Sequence, residues 1–185
     1  MKFRISRNIG SIVFLCCMVF GTIYAVGQQI LRQSANDPQI QVAEDISRLL
    51  DATNKPADFA SNSRVDIANS LAPFLVIADA SGKTVATTGQ LNNTDPIVPV
   101  GVYTSAKKSG ENRITWQPQK GVRVALIVVP YKDGFVAVGR SLREVEKREN
   151  EMLKIVGAAW GVVVILSCMG YVGMMRMRLA KQSIV

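Results

Sequence analysis

The chain has 185 residues, room for about one ordinary domain, and carries 22 Lys and Arg against 14 Asp and Glu, a net charge of +8. It has no histidine and 3 cysteines, Cys16, Cys17 and Cys168, which excludes Ser-His and Cys-His catalysis, histidine metal sites and a phosphoacceptor histidine. Hydrophobic residues make up 48% of the chain and mean hydropathy is +0.18, high for a soluble protein unless the apolar residues are gathered into segments.

They are gathered. Residues 1–8 form a basic tail with Lys2, Arg4 and Arg7, and from Asn8 to Leu31 no residue is charged. About 20 apolar residues at 1.5 Å each cross a hydrocarbon core of roughly 30 Å, and only a helix satisfies its own backbone there. Residues 9–31 therefore read as a first transmembrane helix. Ala25-Val26-Gly27 is a tolerable signal-peptidase context, but the stretch Ile9 to Val26 exceeds the about 7–15 residues of a signal peptide, so retention is expected. Cys17, Gly21 and Ala25 stand four apart, a spacing of small residues that lets helices approach closely. Tyr24 fits an interface anchor.

Residues 32–141 read as a domain outside the membrane. Asn36-Asp37-Pro38 offers a helix start, with a polar cap and a proline in the first turn. Val42, Ile46, Leu49 and Leu50 then form an apolar stripe, ending near Thr53-Asn54-Lys55-Pro56. A second helix is expected from Ser63 to Leu71, stopped by Pro73. Phe74–Asp79 and Thr84–Thr88 read as strands joined by the turn Ala80-Ser81-Gly82-Lys83. A loop containing Gly89, Pro96 and Pro99 leads to a short helix, Gly101–Ser109, ended by Gly110. Three more strands follow, Asn112–Gln117, Val122–Val129 and Phe135–Arg140, joined at Pro118–Gly121 and Tyr131–Gly134. The order fits an α+β fold: a five-stranded antiparallel sheet with a long N-terminal helix against one face.

Residues 142–154 read as a juxtamembrane helix. Leu142, Val145, Met152, Val156 and Ala159 approach a coiled-coil spacing that Glu149 interrupts; Glu144 and Arg148, and Lys147 and Glu151, stand in i,i+4 register. Two heptads equally fit a solvated helix with ordinary charge pairing. From Ile155 to Met175 there is again no charge, a second transmembrane helix, with Gly157 and Gly161 in a GxxxG spacing for helix packing between spans or in a homodimer. Trp160 fits either an interface anchor or a packing residue. The tail 176–185 carries Arg176, Arg178 and Lys181.

All 14 acidic residues lie between the two spans, beside 16 of the Lys and Arg, so the middle balances at +2 while the tails hold the rest of the +8. Short basic tails beside apolar spans are what the positive-inside rule expects of cytoplasmic segments. The expectation is a plasma-membrane protein, of the bacterial inner-membrane kind, with both termini cytoplasmic and the domain outside. The tails are too short to fold into a nucleic-acid reader; their charge suits topology and anionic lipid.

The hairpin Asp79-Ala80-Ser81-Gly82-Lys83-Thr84-Val85, followed by a loop-and-helix insertion and three strands, resembles a PAS-like fold. Over Ser34 to Lys154 the arrangement is similar to the extracytoplasmic PAS-like (Cache, or PDC-type) sensor domains of two-pass bacterial membrane receptors. Such receptors carry a kinase, cyclase or methyl-accepting module after the second span, whereas here ten residues follow, Arg176 to Val185. The resemblance implies a non-enzymatic sensory or accessory protein relaying to a separate signalling protein. It also implies a small carboxylate ligand held by basic and aromatic residues, for which Arg113, Arg123 and Tyr103 are the candidates; a guanidinium matches carboxylate geometry. Strand alternation would equally put these arginines on a solvated face. The alternative function is a ligand-free scaffold assembling a cell-envelope complex. No catalytic residue, metal or cofactor is expected: the middle has no cysteine, no nucleophile motif and no paired carboxylates. Asp79 and Asp133 sit where turns want aspartate, and the Asn92-Asn93-Thr94 sequon is short enough to arise by chance.

Overall fold

Helix α1 (Lys2–Thr53) begins in the basic tail, runs through the first apolar stretch and ends where Asn54 takes the left-handed conformation, φ 47°. The computed structural model of the chain describes residues 2–60 and 64–182. After α1 come a 3-10 turn (Pro56–Phe59), β1 (Val65–Asp66), β2 (Phe74–Asp79), β3 (Thr84–Thr87) and β4 (Gly89–Gln90). Then follow α2 (Val100–Ser109), β5 (Asn112–Gln119), β6 (Val122–Tyr131), β7 (Gly134–Ser141) and α3 (Arg143–Gln182). The chain divides into two compact units, Leu31–Lys147 and Met1–Ile30 with Arg148–Val185.

The first unit is α+β. Its five-stranded sheet runs β3-β2-β7-β6-β5, every neighbour antiparallel. The first and last strands of the meander differ in position: β7 returns to the centre and pairs with β2 along its whole length, Phe74 to Asp79 against Gly139 to Gly134. Alternating side chains build two cores, one per face. On one, Tyr103 and Ala106 of α2 join Phe74, Val76, Val124, Leu126, Phe135 and Ala137. On the other, Ala43 and Leu50 of α1 join Leu75, Ile77, Ile127, Val136 and Val138. Both faces of the sheet are covered.

Several expectations are corrected. Pro38 does not start a helix but lies inside α1; it removes one rung of the hydrogen-bond ladder, and the turns on either side carry the helix through. The stripe of α1 is rotated: Val42 and Leu49 are 43% and 52% exposed, while Gln39, Ala43, Ser47 and Leu50 are buried. Small Ala43 and Ser47 let the helix lie close to the sheet, and Ser47 Oγ donates to the Pro130 carbonyl at 3.1 Å. Asp51 fixes the same helix further along by accepting from the Lys132 N–H at 2.7 Å.

The helix expected over Ser63–Leu71 is β1 and a turn, Ser63 lying outside the described residues. Asp66 competes for the backbone: its carboxylate accepts from the Ala68 N–H at 2.9 Å and from Asn69 Nδ2 at 2.7 Å, which turns the chain instead of winding it. The residues Gly89 and Gln90, read as loop, are β4, paired in parallel with β1. Strand β5 continues through Pro118 to Gln119 with a register shift between Trp116 and Gln119, leaving Lys120-Gly121 as the turn. The juxtamembrane helix and the second apolar run are one helix, α3. Gly110 stops α2 as expected, in the left-handed conformation at φ 80°, which costs a glycine nothing.

Two helices are long and apolar enough to cross a membrane, α1 over Val13–Thr53 and α3 over Arg143–Met177. Their apolar windows are unburied, with Phe14 67% and Ile155 70% exposed.

Candidate functional site

The sheet separates the three residues expected to share a ligand. Tyr103 packs on the α2 face, where its ring lies 5.0 Å from that of Phe135, tilted by 32°. Arg113 pairs in register with Ile127, a residue of the α1-face core, so its side chain leaves the sheet on that other side. Arg123 stands between Val122 and Val124, both in the α2-face core, and alternation sends it to the α1 side too. Tyr103 and the two arginines do not converge.

Each arginine is already engaged. Arg113 pairs with its near neighbour Glu111 through both Nε and an Nη, the latter at 3.1 Å. Arg123 pairs with Glu146, in the first turn of α3. Both side chains of that second pair are more than a third exposed, so its worth is about 0–1 kcal/mol. Its position matters more than its strength. The Arg123 carbonyl accepts from the Leu142 N–H at 2.9 Å, and the Leu142 carbonyl accepts from the Glu146 N–H at 2.9 Å. Leu142 alone separates β7 from α3. Glu144 and Glu146 in the first turn suit the positive end of the helix dipole. Side chain and backbone of Arg123 therefore both hold the start of α3.

Tyr103 is 2% exposed, and its hydroxyl has no hydrogen-bond partner among the described residues. Burial pushes its pKa up to about 12. Gly82 makes this packing possible: at φ 86° it turns the β2–β3 hairpin under the tyrosine ring, and a Cβ there would stand 3.1 Å from Tyr103 Cδ2.

At the same end of the sheet but on its α1 face, burial first and then the charges of Asp133, Asp79 and Asp51 raise the pKa of Tyr131. Asp79 is held below the usual carboxylate range, chiefly by the Ser81 hydroxyl and then by the Lys83 N–H. That is turn chemistry, as expected. Among the described residues no group of three His, Cys, Asp or Glu is placed to hold a metal ion.

In the apolar unit, a Cβ added at Gly21, Gly157 or Gly161 would meet nothing within 4 Å. The close approach lies at Gly27, where a Cβ would stand 2.6 Å from Met152 Sδ. In the sequence Gly27 stands only as part of a cleavage context; its approach to Met152 of α3 exists only in the folded chain. Arg64, Asn69 and Asp95 were likewise unmarked, since their partners are 25 to 74 positions away.

Comparison of the chain with protein-family models, with curated proteins and with solved structures found no match in any of the three.

Proposed function

We propose that the chain is a two-pass membrane protein, non-enzymatic, whose PAS-like unit outside the cytoplasm senses a small molecule or partner and relays its state through α3 to a separate protein. The observation that carries this reading is the junction at Leu142. A central strand of the sheet, β7, passes into a helix with a charge-free run after one residue, and Arg123 of the adjacent strand grips that helix's first turn. A change in the sheet at β6 or β7 thus acts on the helix start through bonds already in place. The PAS-like reading is supported by the β2–β3 hairpin, the α2 insertion and the β5–β6–β7 meander returning to pair with β2. Membrane residence in a bacterial inner membrane is supported by the two exposed apolar helices and by the basic tails that flank them.

A scaffold reading has its own support: the α2 face is occupied by Tyr103, Phe135, Trp116 and Val98 of the chain itself. A carboxylate ligand would instead have to displace Glu146 from Arg123 on the far side of the sheet.

The test is a ligand screen on the full chain in lipid nanodiscs, reading thermal unfolding with small carboxylates, amino acids and inorganic ions. A ligand of the folded unit at 100 times its Kd stabilises by about 2.7 kcal/mol. A flat screen with a stable homodimer favours the scaffold. Topology is tested with Ser105→Cys, since the unit Leu31–Lys147 has no cysteine of its own and Ser105 is exposed. An impermeant thiol reagent labels it in intact cells; protection until lysis overturns the topology.

A further inference from the structure

Two arginines beyond Arg123 reach back from the β7–α3 junction, and both bind backbone. Arg143, the first residue of α3, donates an Nη hydrogen to the Asn69 carbonyl at 2.7 Å. Arg140 in β7 donates its Nε hydrogen to the Leu71 carbonyl at 3.3 Å. The segment they hold is the turn after β1, and Asp66 stiffens it. Besides the two carboxylate bonds, the Asp66 carbonyl accepts from the Ser70 N–H at 2.8 Å.

That turn is tied at its other end to β4 and the loop beyond. The Val65 N–H donates to the Thr88 carbonyl at 2.7 Å, and the Ile67 N–H to the Gln90 carbonyl at 2.9 Å. Arg64 adds a side-chain clasp: one Nη serves both the Gly89 carbonyl, at 2.6 Å, and the Asp95 carboxylate. The loop from Leu91 to Thr94 is itself closed by reciprocal backbone bonds of 2.9 and 3.0 Å. Asn92 and Asn93 both stand at positive φ there, the backbone of a tight type I′ turn.

We propose that these bonds form one latch, in which Arg143 makes the turn 66–70 part of the start of α3 and Arg64 extends that hold to the 89–95 loop through Asp95. The physical reason is that both arginines bond carbonyls of the segment they grip. The turn cannot shift without breaking its bond to α3, and the loop cannot shift without pulling β1. Opening the Asp95 end loosens the turn, and the loosened turn frees the first turn of α3. The latch rests on the relay reading for its purpose, while its existence stands on geometry alone.

Backbone hydrogen exchange in the full chain in nanodiscs tests it. Asp95→Asn removes the charge of this part-exposed pair and is expected to speed exchange at residues 144–148 by up to about fivefold, the upper end of what such a pair is worth, with the central β6–β7 amides unchanged. In an Arg143→Gln background, already fast at 144–148, Asp95→Asn adds nothing further there. A merely local role for Asp95 would speed β1 and β4 and leave α3 untouched, and that result overturns the latch. So does a double variant whose effects multiply, because uncoupled sites add in free energy. Should Asp95→Asn unfold the unit, Arg64→Gln removes the cation from the other side of the clasp and is held to the same outcomes. The readout needs no ligand and no partner. A flat ligand screen therefore leaves the latch standing, and uncoupled exchange removes the latch while leaving sensing open.

Discussion

Replacing Tyr103 by phenylalanine tests whether this tyrosine belongs to a packed core or to a polar site. The side chain is 2% exposed, and its hydroxyl has no partner among the described residues. A buried unpaired polar group costs about 1–3 kcal/mol. Removing the oxygen leaves a void no larger than about one water, roughly 15 Å³, which at about 24 cal/mol per Å³ costs about 0.3 kcal/mol. The ring stays on Phe135. Tyr103→Phe is therefore expected to stabilise the unit by about 1–2 kcal/mol at pH 7. Alkaline pH supplies an internal check. The folded pKa of about 12 lies above the ordinary 10.0, so the neutral form is favoured in the folded state. The wild type keeps that contribution below pH 10 and loses it as pH rises towards 12, by about 1.4 kcal/mol per unit. Phenylalanine does not titrate, so the advantage of the variant widens across that window. The assay is urea unfolding in mild detergent, followed by Trp116 fluorescence in a Trp160→Phe background, since the chain has 2 tryptophans. A Tyr103→Phe variant less stable by more than about 1 kcal/mol, with no widening above pH 10, would refute the reasoning and place a partner on the hydroxyl.

Gln39 is 2% exposed with neither amide atom partnered among the described residues, so Gln39→Met is expected to raise stability by about 1–3 kcal/mol in the same urea assay. Gly139→Ala drives a methyl group into the Phe74 ring and is expected to cost about 1–3 kcal/mol by overpacking, seen as a lower urea midpoint. Arg123→Ala breaks an exposed pair, so its effect on stability stays under about 1 kcal/mol; if a carboxylate emerges from the screen, unchanged affinity in this variant removes Arg123 from the site. Hydrogen bonds to Asp66, from the Asn69 side chain first and then the Ala68 N–H, lower its pKa below the usual 3.8. Its contribution is present above that value and is lost as pH falls through the folded pKa, so Asp66→Asn should erase part of the acid-side loss of stability in a pH titration.

The elements of the sheet were legible because each depends on its own residues. Apolar Phe74–Ala78, the Gly82 and Gly121 turns, and Gly110 after α2 act within a few positions of themselves. The candidate ligand residues were legible only as types. An arginine in a strand is visible in the chain, but the face it takes depends on where its neighbours pack. Ile127 on the α1 side placed Arg113 there, and Val122 and Val124 on the α2 side sent Arg123 to the α1 side as well.

What the chain's own order of residues determined is the pair of uncharged runs, the basic tails outside them and the α+β pattern between. These follow from local hydropathy and turn chemistry, which need no distant partner. Only the tertiary structure decided that α1 runs unbroken through Pro38 and buries Gln39, Ala43, Ser47 and Leu50 instead of Val42 and Leu49. It alone joined β1 to β4 and tied Arg64, Arg123 and Arg143 to partners 20 or more positions away. The reason is physical: helical periodicity offers more than one usable face, and a cation accepts any oxygen within reach. Long-range packing makes both choices.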